Sequence, residues 1–256
     1  MSATPEPGLA VHEAAVSENS LLGGRVRLLQ PVEGYRVAID PVFLAAGVPA
    51  AAGETVLDLG CGVGAAALCL LARAPVRVTG LDIQGDLVRL AGENARLNDA
   101  AGRFQPMTGD VAKPPPRLAP GSFHHVMCNP PHLAREQGSP CGNRARETAM
   151  REGAAHLVDW VTTALTMAQP KGSLTFVHRA DRLDALLAAL AGRAGDIVVF
   201  PLWARAGKPA KRIIVRAHKD AGSPLSLAPG LVLHEADGRF TPAAEAVLRE
   251  AAALEL

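Results

Sequence analysis

The feature that most constrains the fold is the stretch over residues 55–64, which reads T-V-L-D-L-G-C-G-V-G. Its short apolar run predicts a buried strand, and three glycines spaced two residues apart predict a sharp turn into a helix that begins near Ala65. Glycine permits backbone conformations that other residues avoid, and it leaves bare backbone against which a ligand can lie. Asp58 ends the strand beside this turn, where its carboxylate would repel a pyrophosphate and favour a cationic ligand.

From this stretch onward, predicted strands and helices alternate along the chain. Such alternation is typical of one α/β domain with a largely parallel sheet and helices on both faces. The predicted strands cover residues 55–59, 77–83, 104–108, 124–128, 173–178, 197–203 and 212–218, and the predicted helices cover residues 65–74, 86–98, 147–168 and 181–193.

The chain has 256 residues, which suits one such domain with small additions. We expect a flexible N-terminus over residues 1–20 and a single domain over 21–256. Within that domain, residues 21–53 form an N-terminal cap segment, 54–220 the core and 221–256 a C-terminal extension. The cap segment is expected to contain a hairpin that turns at a pair of glycines, followed by a helix.

Charge and cysteine usage exclude several classes of protein. The formal net charge is +1, so any surface that binds nucleic acid must be local. None of the four cysteines lies in a C-x-x-C pair or at metal-ligand spacing from a histidine, which favours reduced thiols and no metal. The N-terminus does not resemble a signal peptide, and no apolar run reaches about 18 residues. We therefore expect a cytoplasmic protein that uses neither a metal nor a membrane.

Polar residues follow each of the first four predicted strands. Asp58, Asp82 and Asp110 lie at the ends of the first three, and the fourth ends in the run N-P-P-H over residues 129–132. Ligands of such sheets bind outside the carboxyl ends of the strands. These four signals are therefore expected to converge on one site.

Two cofactors fit the glycine turn. Gly60, Gly62 and Ala65 match the G-x-G-x-x-A fingerprint of NAD enzymes, in which Asp82 would hold the ribose hydroxyls. However, Asp58 would repel the pyrophosphate, and hydride transfer has no use for the N-P-P run. S-adenosylmethionine (SAM) carries no phosphate, and it offers ribose hydroxyls, an adenine amino group and a cationic methionine end to the three aspartates. The residues therefore favour SAM over NAD.

Three short motifs, D-L-G-C-G-V-G, L-D-I and G-D-V, resemble those of the class I SAM-dependent methyltransferases, over roughly residues 56–177. The resemblance implies a Rossmann-like class I methyltransferase sheet, mostly parallel with an antiparallel final strand. It also implies S-adenosyl-L-methionine as cofactor. The candidate cofactor-binding residues are Arg36, Asp40, Asp58, Gly60, Cys61, Gly62, Gly64, Asp82, Ile83, Asp110, Val111 and Asn129.

The run Asn129, Pro130, Pro131 and His132 resembles the N-P-P-aromatic motif of methyltransferases that alkylate planar, conjugated nitrogens. In such an amino group the lone pair is shared with the ring. The side-chain oxygen of Asn129 and the carbonyl of Pro130 can accept its two N–H bonds and return electron density to the nitrogen. The prolines fix the backbone. His132 replaces the usual aromatic residue, and we expect its neutral imidazole to stack on the target base.

The flanking segments over residues 30–46 and 201–216 resemble the bacterial adenine-N6 methyltransferases that act beside the anticodon of valine tRNA. The resemblance implies methyl transfer to adenine N6 in tRNA. Alternatives are guanine N2 in another RNA, a protein glutamine, or a SAM- and RNA-binding module whose acceptor pocket has drifted. We expect a monomer or weak dimer with tRNA as partner. The candidate RNA-binding residues are Arg135, Arg144, Arg146, Lys208, Lys211 and Arg212.

Overall fold

The computed structural model describes residues 15–33, 36–131 and 155–256. Four of the predicted site residues, His132, Arg135, Arg144 and Arg146, lie outside these ranges.

Strands and helices follow one another in the predicted order. The strands are β1 Val16–Leu21, β2 Val26–Pro31, β3 Thr55–Leu59, β4 Arg77–Asp82, β5 Phe104–Thr108, β6 Phe123–Cys128, β7 Ala168–Arg179, β8 Ala194–Trp203, β9 Arg212–Lys219, β10 Ser226–Leu227 and β11 Leu231–Val232. The helices are α1 Asp40–Gly47, α2 Ala65–Arg73, α3 Gly85–Leu97, α4 Leu157–Met167, α5 Leu183–Leu190 and α6 Pro242–Glu250.

The main sheet has the strand order β10-β8-β9-β7-β6-β3-β4-β5, with β11 also paired to β8. Strand β9 is antiparallel to both of its neighbours, β7 and β8, while the other pairings in this sheet are parallel. The prediction of a mostly parallel sheet with an antiparallel final strand of the core is confirmed. Strands β1 and β2 form a separate antiparallel hairpin.

Helices cover both faces of the main sheet. Val56 of β3 packs in a core cluster with residues of α1, α2 and α3, whereas Leu57 and Leu59 pack in a second cluster with residues of α4 and α5. Successive side chains of a strand point to opposite faces, so a strand between two helical layers is apolar on both. This burial explains the continuous apolar run in the sequence.

Two predicted boundaries differ from the structure. The helix predicted over residues 147–168 runs from Leu157 to Met167, because His156 is its N-cap and the backbone N–H of His156 donates to Asp159 (2.8 Å), while residues 147–154 lie outside the described residues. Residues 16–20, expected to be flexible, belong to β1, which pairs along its whole length with β2. Polar side chains had concealed this strand, and one of them, Glu18, forms an ion pair with Arg27 across the hairpin (2.7 Å).

Candidate active site

The carboxyl ends of β3, β4 and β6 meet at one edge of the sheet. Leu59 pairs with Leu81 on one side and with Cys128 on the other, so Asp82 and Asn129 follow directly on either side of the glycine turn. Because these strands are parallel, residues from distant parts of the sequence come together here. The predicted convergence of Asp58, Asp82 and Asn129 is therefore observed in the fold.

All three glycines of the turn have left-handed backbone conformations, with φ of 72°, 52° and 86° at Gly60, Gly62 and Gly64. The N–H groups of Gly60 and Cys61 donate to the carbonyl of Leu81 (2.7 and 3.1 Å). A Cβ at Gly64 would lie 2.5 Å from the ring of Phe104, which no side chain tolerates. Both conformation and close contact thus require glycine here.

Asp58 is 2 % exposed, and its Oδ2 has no hydrogen-bond partner in the part of the chain that the structure describes. Burial, together with the nearby charge of Asp82, raises the pKa of its carboxyl to about 7, although the backbone N–H of Ala67 acts in the opposite direction. A buried acceptor without a donor suits a ligand that brings a cationic N–H group.

Asp82 is also buried, and its carboxylate accepts the N–H groups of Gly62 (2.8 Å) and Gln84 (2.9 Å). Burial raises the pKa of Asp82 above its ordinary value, although these two hydrogen bonds act in the opposite direction. Two bonds leave acceptor capacity on a carboxylate, which has about four lone-pair sites, so ligand hydroxyls can still bind. The next residue, Ile83, is 56 % exposed and offers an apolar surface beside the site.

The segment after β5 is fixed by one local hydrogen bond and one bond to α4. Asp110 accepts the N–H of Ala112 at Oδ1 (2.8 Å), and the carbonyl of buried Val111 accepts the hydroxyl of Thr163 in α4 (2.7 Å). The second bond holds the segment against α4. Asp110 is half-buried at the same edge as the glycine turn.

Asn129 follows β6, and its Oδ1 is buried without a hydrogen-bond partner among the described residues. Pro130 is buried and Pro131 half-buried, so the backbone on this side is held rigidly. An unpaired buried amide oxygen costs free energy of about 1–3 kcal/mol. A ligand with an N–H group would remove that cost.

Two residues assigned to cofactor binding have protein partners. Arg36 donates to Ser17 (3.2 Å) and Asn19 (2.9 Å), both in β1. Asp40, at the start of α1, is buried and accepts from Nε of Arg212 (2.9 Å), at the start of β9. A candidate cofactor residue and a candidate RNA-binding residue therefore form one ion pair.

The remaining described basic candidates, Lys208 and Lys211, are exposed in the segment between β8 and β9. Strand β8 runs parallel to β7, because both are antiparallel to β9. The segment that follows β8 therefore lies at the same edge of the sheet as Asn129. Three strand spacings separate β8 from β6, about 14 Å.

Trp160 of α4 is a site residue that sequence reasoning missed. A Cβ on Gly60 would lie 2.8 Å from two atoms of its indole ring, so the ring rests on the glycine turn. The side chain is 8 % exposed, and its Nε1 has no partner within the described ranges. An apolar helical pattern indicates burial only, and no local signal links Trp160 to residue 60.

Cys61, Cys69 and Cys128 are buried free thiols whose pKa values burial raises, to about 12 for Cys69. Cys141 lies outside the described residues. Over the described ranges, no group of three or more His, Cys, Asp or Glu side chains is placed to hold a metal ion. No helix in those same ranges combines the length and hydropathy that crossing a membrane requires.

A family model described as "Methyltransferase domain" matches residues 56–159. The chain is 29% identical over 190 residues to the tRNA1(Val) (adenine(37)-N6)-methyltransferase of Actinobacillus succinogenes, covering 72% of this chain and 77% of that protein. The range of the family model covers β3 from its second residue through β6, and thus every strand end that forms the site.

Solved structures show the same fold. A predicted O-methyltransferase of Agrobacterium tumefaciens, protein Atu636, superposes with a TM-score of 0.70 at 25% identity, covering 84% of this chain and 98% of that one. The geranyl diphosphate C-methyltransferase of Streptomyces coelicolor, in complex with S-adenosyl-L-homocysteine, superposes at 0.51 with 13% identity, covering 70% and 74%. The second likeness concerns the fold alone.

Proposed function

We propose that this chain is a class I SAM-dependent methyltransferase with S-adenosyl-L-methionine as its cofactor, and that it methylates an exocyclic amino nitrogen, adenine N6 in tRNA beside the anticodon. The observation that carries the proposal is the Oδ1 of Asn129 next to the glycine turn, which is buried and has no partner among the residues that the structure describes. An amide oxygen can only accept hydrogen bonds, so it suits a substrate that presents N–H groups.

The residues at the strand ends fit the cofactor. When bound, SAM supplies an electrophilic methyl group on a sulfonium. We propose that Asp58 accepts its ammonium group, that Asp82 accepts the ribose hydroxyls and that Ile83 covers the adenine. The Oδ2 of Asp58, which has no partner within the described part of the chain, and the exposed side chain of Ile83 support this assignment.

The other candidates have smaller roles in the proposal. Asp110 would accept the adenine amino group, and Val111 would pack beside it. Cys61 and the three glycines would offer bare backbone to the methionine end. Arg36 and Asp40 have protein partners and would shape the edge of the site through them.

Asn129 would act on the acceptor through hydrogen bonding. Its Oδ1 and the carbonyl of Pro130 would accept the two N–H bonds of the amino group, which draws the nitrogen lone pair out of the ring. The proton becomes acidic only after methyl transfer, so no strong base is needed. His132 remains the proposed stacking partner of the base, and such a base must first leave its own stack.

The identity of the acceptor is supported by two features. Relatives of similar length are named tRNA1(Val) (adenine(37)-N6)-methyltransferases. In addition, Lys208 and Lys211 are exposed at the same edge as Asn129, where they can contact phosphates of the same RNA. Arg135, Arg144 and Arg146 remain proposed as further phosphate contacts. Arg212 has Asp40 as a partner and would contribute less.

The decisive experiment is methylation of unmodified tRNA pools with labelled SAM, and in parallel of other RNA and protein fractions, followed by nucleoside and amino-acid analysis. We expect the labelled nucleoside to be N6-methyladenosine. We also expect valine tRNA from a strain in which the gene is deleted to lack this nucleoside. Label in guanine or in a protein glutamine would replace adenine as the acceptor. Binding of S-adenosyl-L-homocysteine (SAH) without transfer to any RNA or protein fraction would instead identify a binding module.

Asn129→Ala tests the role of the amide oxygen. We expect kcat on tRNA to fall about 100- to 1,000-fold, a typical loss for one preorganised hydrogen-bonding group in an active site. The dissociation constant for SAH, measured by calorimetry, should change less than threefold because the other candidate cofactor-binding residues, Asp58 and Asp82 among them, are unchanged. A variant with nearly full turnover would exclude this role for Asn129.

A further inference from the structure

The N-terminal hairpin, formed by β1 and β2, is fixed to α3 by two asparagines one helical turn apart. Asn94 accepts the N–H of Leu29 (2.7 Å) and donates to its carbonyl (2.9 Å). Asn98 does the same for Arg27, at 2.8 and 2.7 Å. Four residues of helix rise about 6 Å and two residues of strand about 6.8 Å, so the two amides match one edge of β2.

Asn94 makes one contact that Asn98 lacks. Its Nδ2 also donates to the carbonyl of Val63, at 3.0 Å, and its side chain is 0 % exposed. Val63 lies between Gly62 and Gly64, both with left-handed backbone. A single buried amide therefore bonds the hairpin on one side and the glycine turn on the other.

The bond from Asn94 adds an anchor on the side of α3 to those that Leu81 and Asp82 provide at the end of β4. Glycine loses more conformational entropy on ordering than any other residue, and this turn contains three. The turn also lies close to α3, since a Cβ at Gly64 would lie 3.5 Å from Cβ of Ala91. The N–H of the peptide after Val63 donates within the turn to the carbonyl of Cys61 (2.8 Å), and the bond from Asn94 holds the carbonyl of the same peptide from α3.

We propose that Asn94 is a positioning residue for cofactor binding, and that it makes the N-terminal hairpin part of the cofactor site without touching the cofactor. Docking of the hairpin on α3 holds Asn94 in the rotamer that orients the turn. Cofactor binding and hairpin docking are then coupled, and each strengthens the other. The inference rests on the cofactor and is independent of the acceptor.

Asn94→Ala and Asn98→Ala form a matched pair, because each removes two hydrogen bonds to the hairpin and one further bond. The further bond goes to the carbonyl of Val63 for Asn94 and, within α3, to the carbonyl of Asn94 for Asn98. Affinity for SAH is measured by calorimetry at a temperature where each variant is more than about 95% folded. We expect at least a tenfold rise in the dissociation constant for Asn94→Ala and less than twofold for Asn98→Ala. Equal losses, or none for Asn94→Ala, would overturn the proposal. Since SAH needs no acceptor, the result leaves the tRNA assignment to its own assay.

Amide hydrogen exchange of the wild-type protein provides a second measurement if Asn94→Ala does not fold. Saturating SAH should slow exchange of the Leu29 amide at least threefold more than exchange of the Arg27 amide. The reason is that Asn94, which accepts the Leu29 N–H, also bonds the glycine turn, whereas Arg27 is held by Asn98. Arg27 is the internal control for overall stabilisation by the ligand. Equal slowing at both amides contradicts the coupling.

Discussion

Asp58 is a carboxylic acid whose surroundings favour its neutral form until a cation binds. Burial raises its pKa to about 7, and its Oδ2 lacks a partner among the described residues. The ammonium group of the cofactor would bind the ionised form. We therefore expect SAH affinity to rise about tenfold from pH 6 to pH 8, as the ionised fraction of the unliganded site rises.

Asp58→Asn provides the control for this pH dependence. The amide does not titrate, so its SAH affinity should be weaker at pH 8 and nearly constant over the same range. Calorimetry in buffers of equal ionic strength measures both proteins. A wild-type affinity independent of pH would show that Asp58 is not the group that pairs with the ammonium.

A comparison of Gly60 with Gly62 distinguishes two reasons for glycine in the turn, the lack of space for a side chain and the left-handed backbone. Both have left-handed backbone, but an added Cβ meets the Trp160 ring only at Gly60 and has nothing within 4 Å at Gly62. We expect Gly60→Ala to lower the free energy of unfolding by about 1–3 kcal/mol more than Gly62→Ala, the usual cost of overpacking. Denaturant titration measures both.

A double-mutant cycle with Trp160→Leu identifies the partner. If the ring causes the clash, Gly60→Ala should cost less in the Trp160→Leu background than in the wild type. An unchanged cost would place the strain in the backbone of Gly60 alone.

At the residue scale, the site residues at the ends of strands could be predicted from the sequence, whereas contacts between residues far apart in the sequence could not. Asp58, Asp82 and Asn129 could be placed together because parallel strands end at one edge. The Asp40–Arg212 ion pair joins residues 172 positions apart, across α1 and β9. No local pattern encodes that contact, and the same holds for Trp160 resting on Gly60.

At the scale of elements, apolar periodicity located the core strands within a few residues. It failed where polar groups set the boundary. His156 caps α4, and the exposed hairpin strand β1 has almost no apolar pattern. Apolar periodicity also does not predict the hydrogen bonds from Asn94 and Asn98 to β2, because these bonds form only when α3 packs against that strand.

The segment between β8 and β9 is the element whose charge can be tested directly. The double variant Lys208→Gln/Lys211→Gln should weaken tRNA binding and reduce the slope of log K against log salt by about 1 for each phosphate that the protein no longer neutralises. Lys171→Gln is the matched control, because Lys171 is exposed near the opposite edge of the sheet, before Ser173. Filter binding at several salt concentrations gives the slopes. Equal slopes in all three proteins would exclude this segment from the RNA interface.

At the scale of the whole molecule, ionisable groups are buried near both edges of the sheet. Near the amino edge, His125 contacts Glu54 (2.7 Å) and Ser173 (2.7 Å), and burial lowers its pKa. Its stabilising contribution is present above the unfolded-state pKa of about 6.5 and is lost as pH falls below it. Asp58 acts in the opposite direction at the carboxyl edge.

The folded-state pKa of Asp58 is raised, so its contribution to stability is full below the unfolded-state pKa and is lost as pH rises to about 7. His125 is present in both wild type and Asp58→Asn, so the difference in Tm between them isolates the carboxyl. We expect the Tm of Asp58→Asn minus the Tm of the wild type to increase by roughly 5 °C or more from pH 5 to pH 8. Saturating SAH should close this gap at pH 8, because the ligand offsets the buried charge in the wild type only. Scanning calorimetry gives Tm against pH for the two proteins, each with and without SAH. A difference in Tm that does not vary with pH would mean that ionisation of buried Asp58 does not destabilise the unliganded protein.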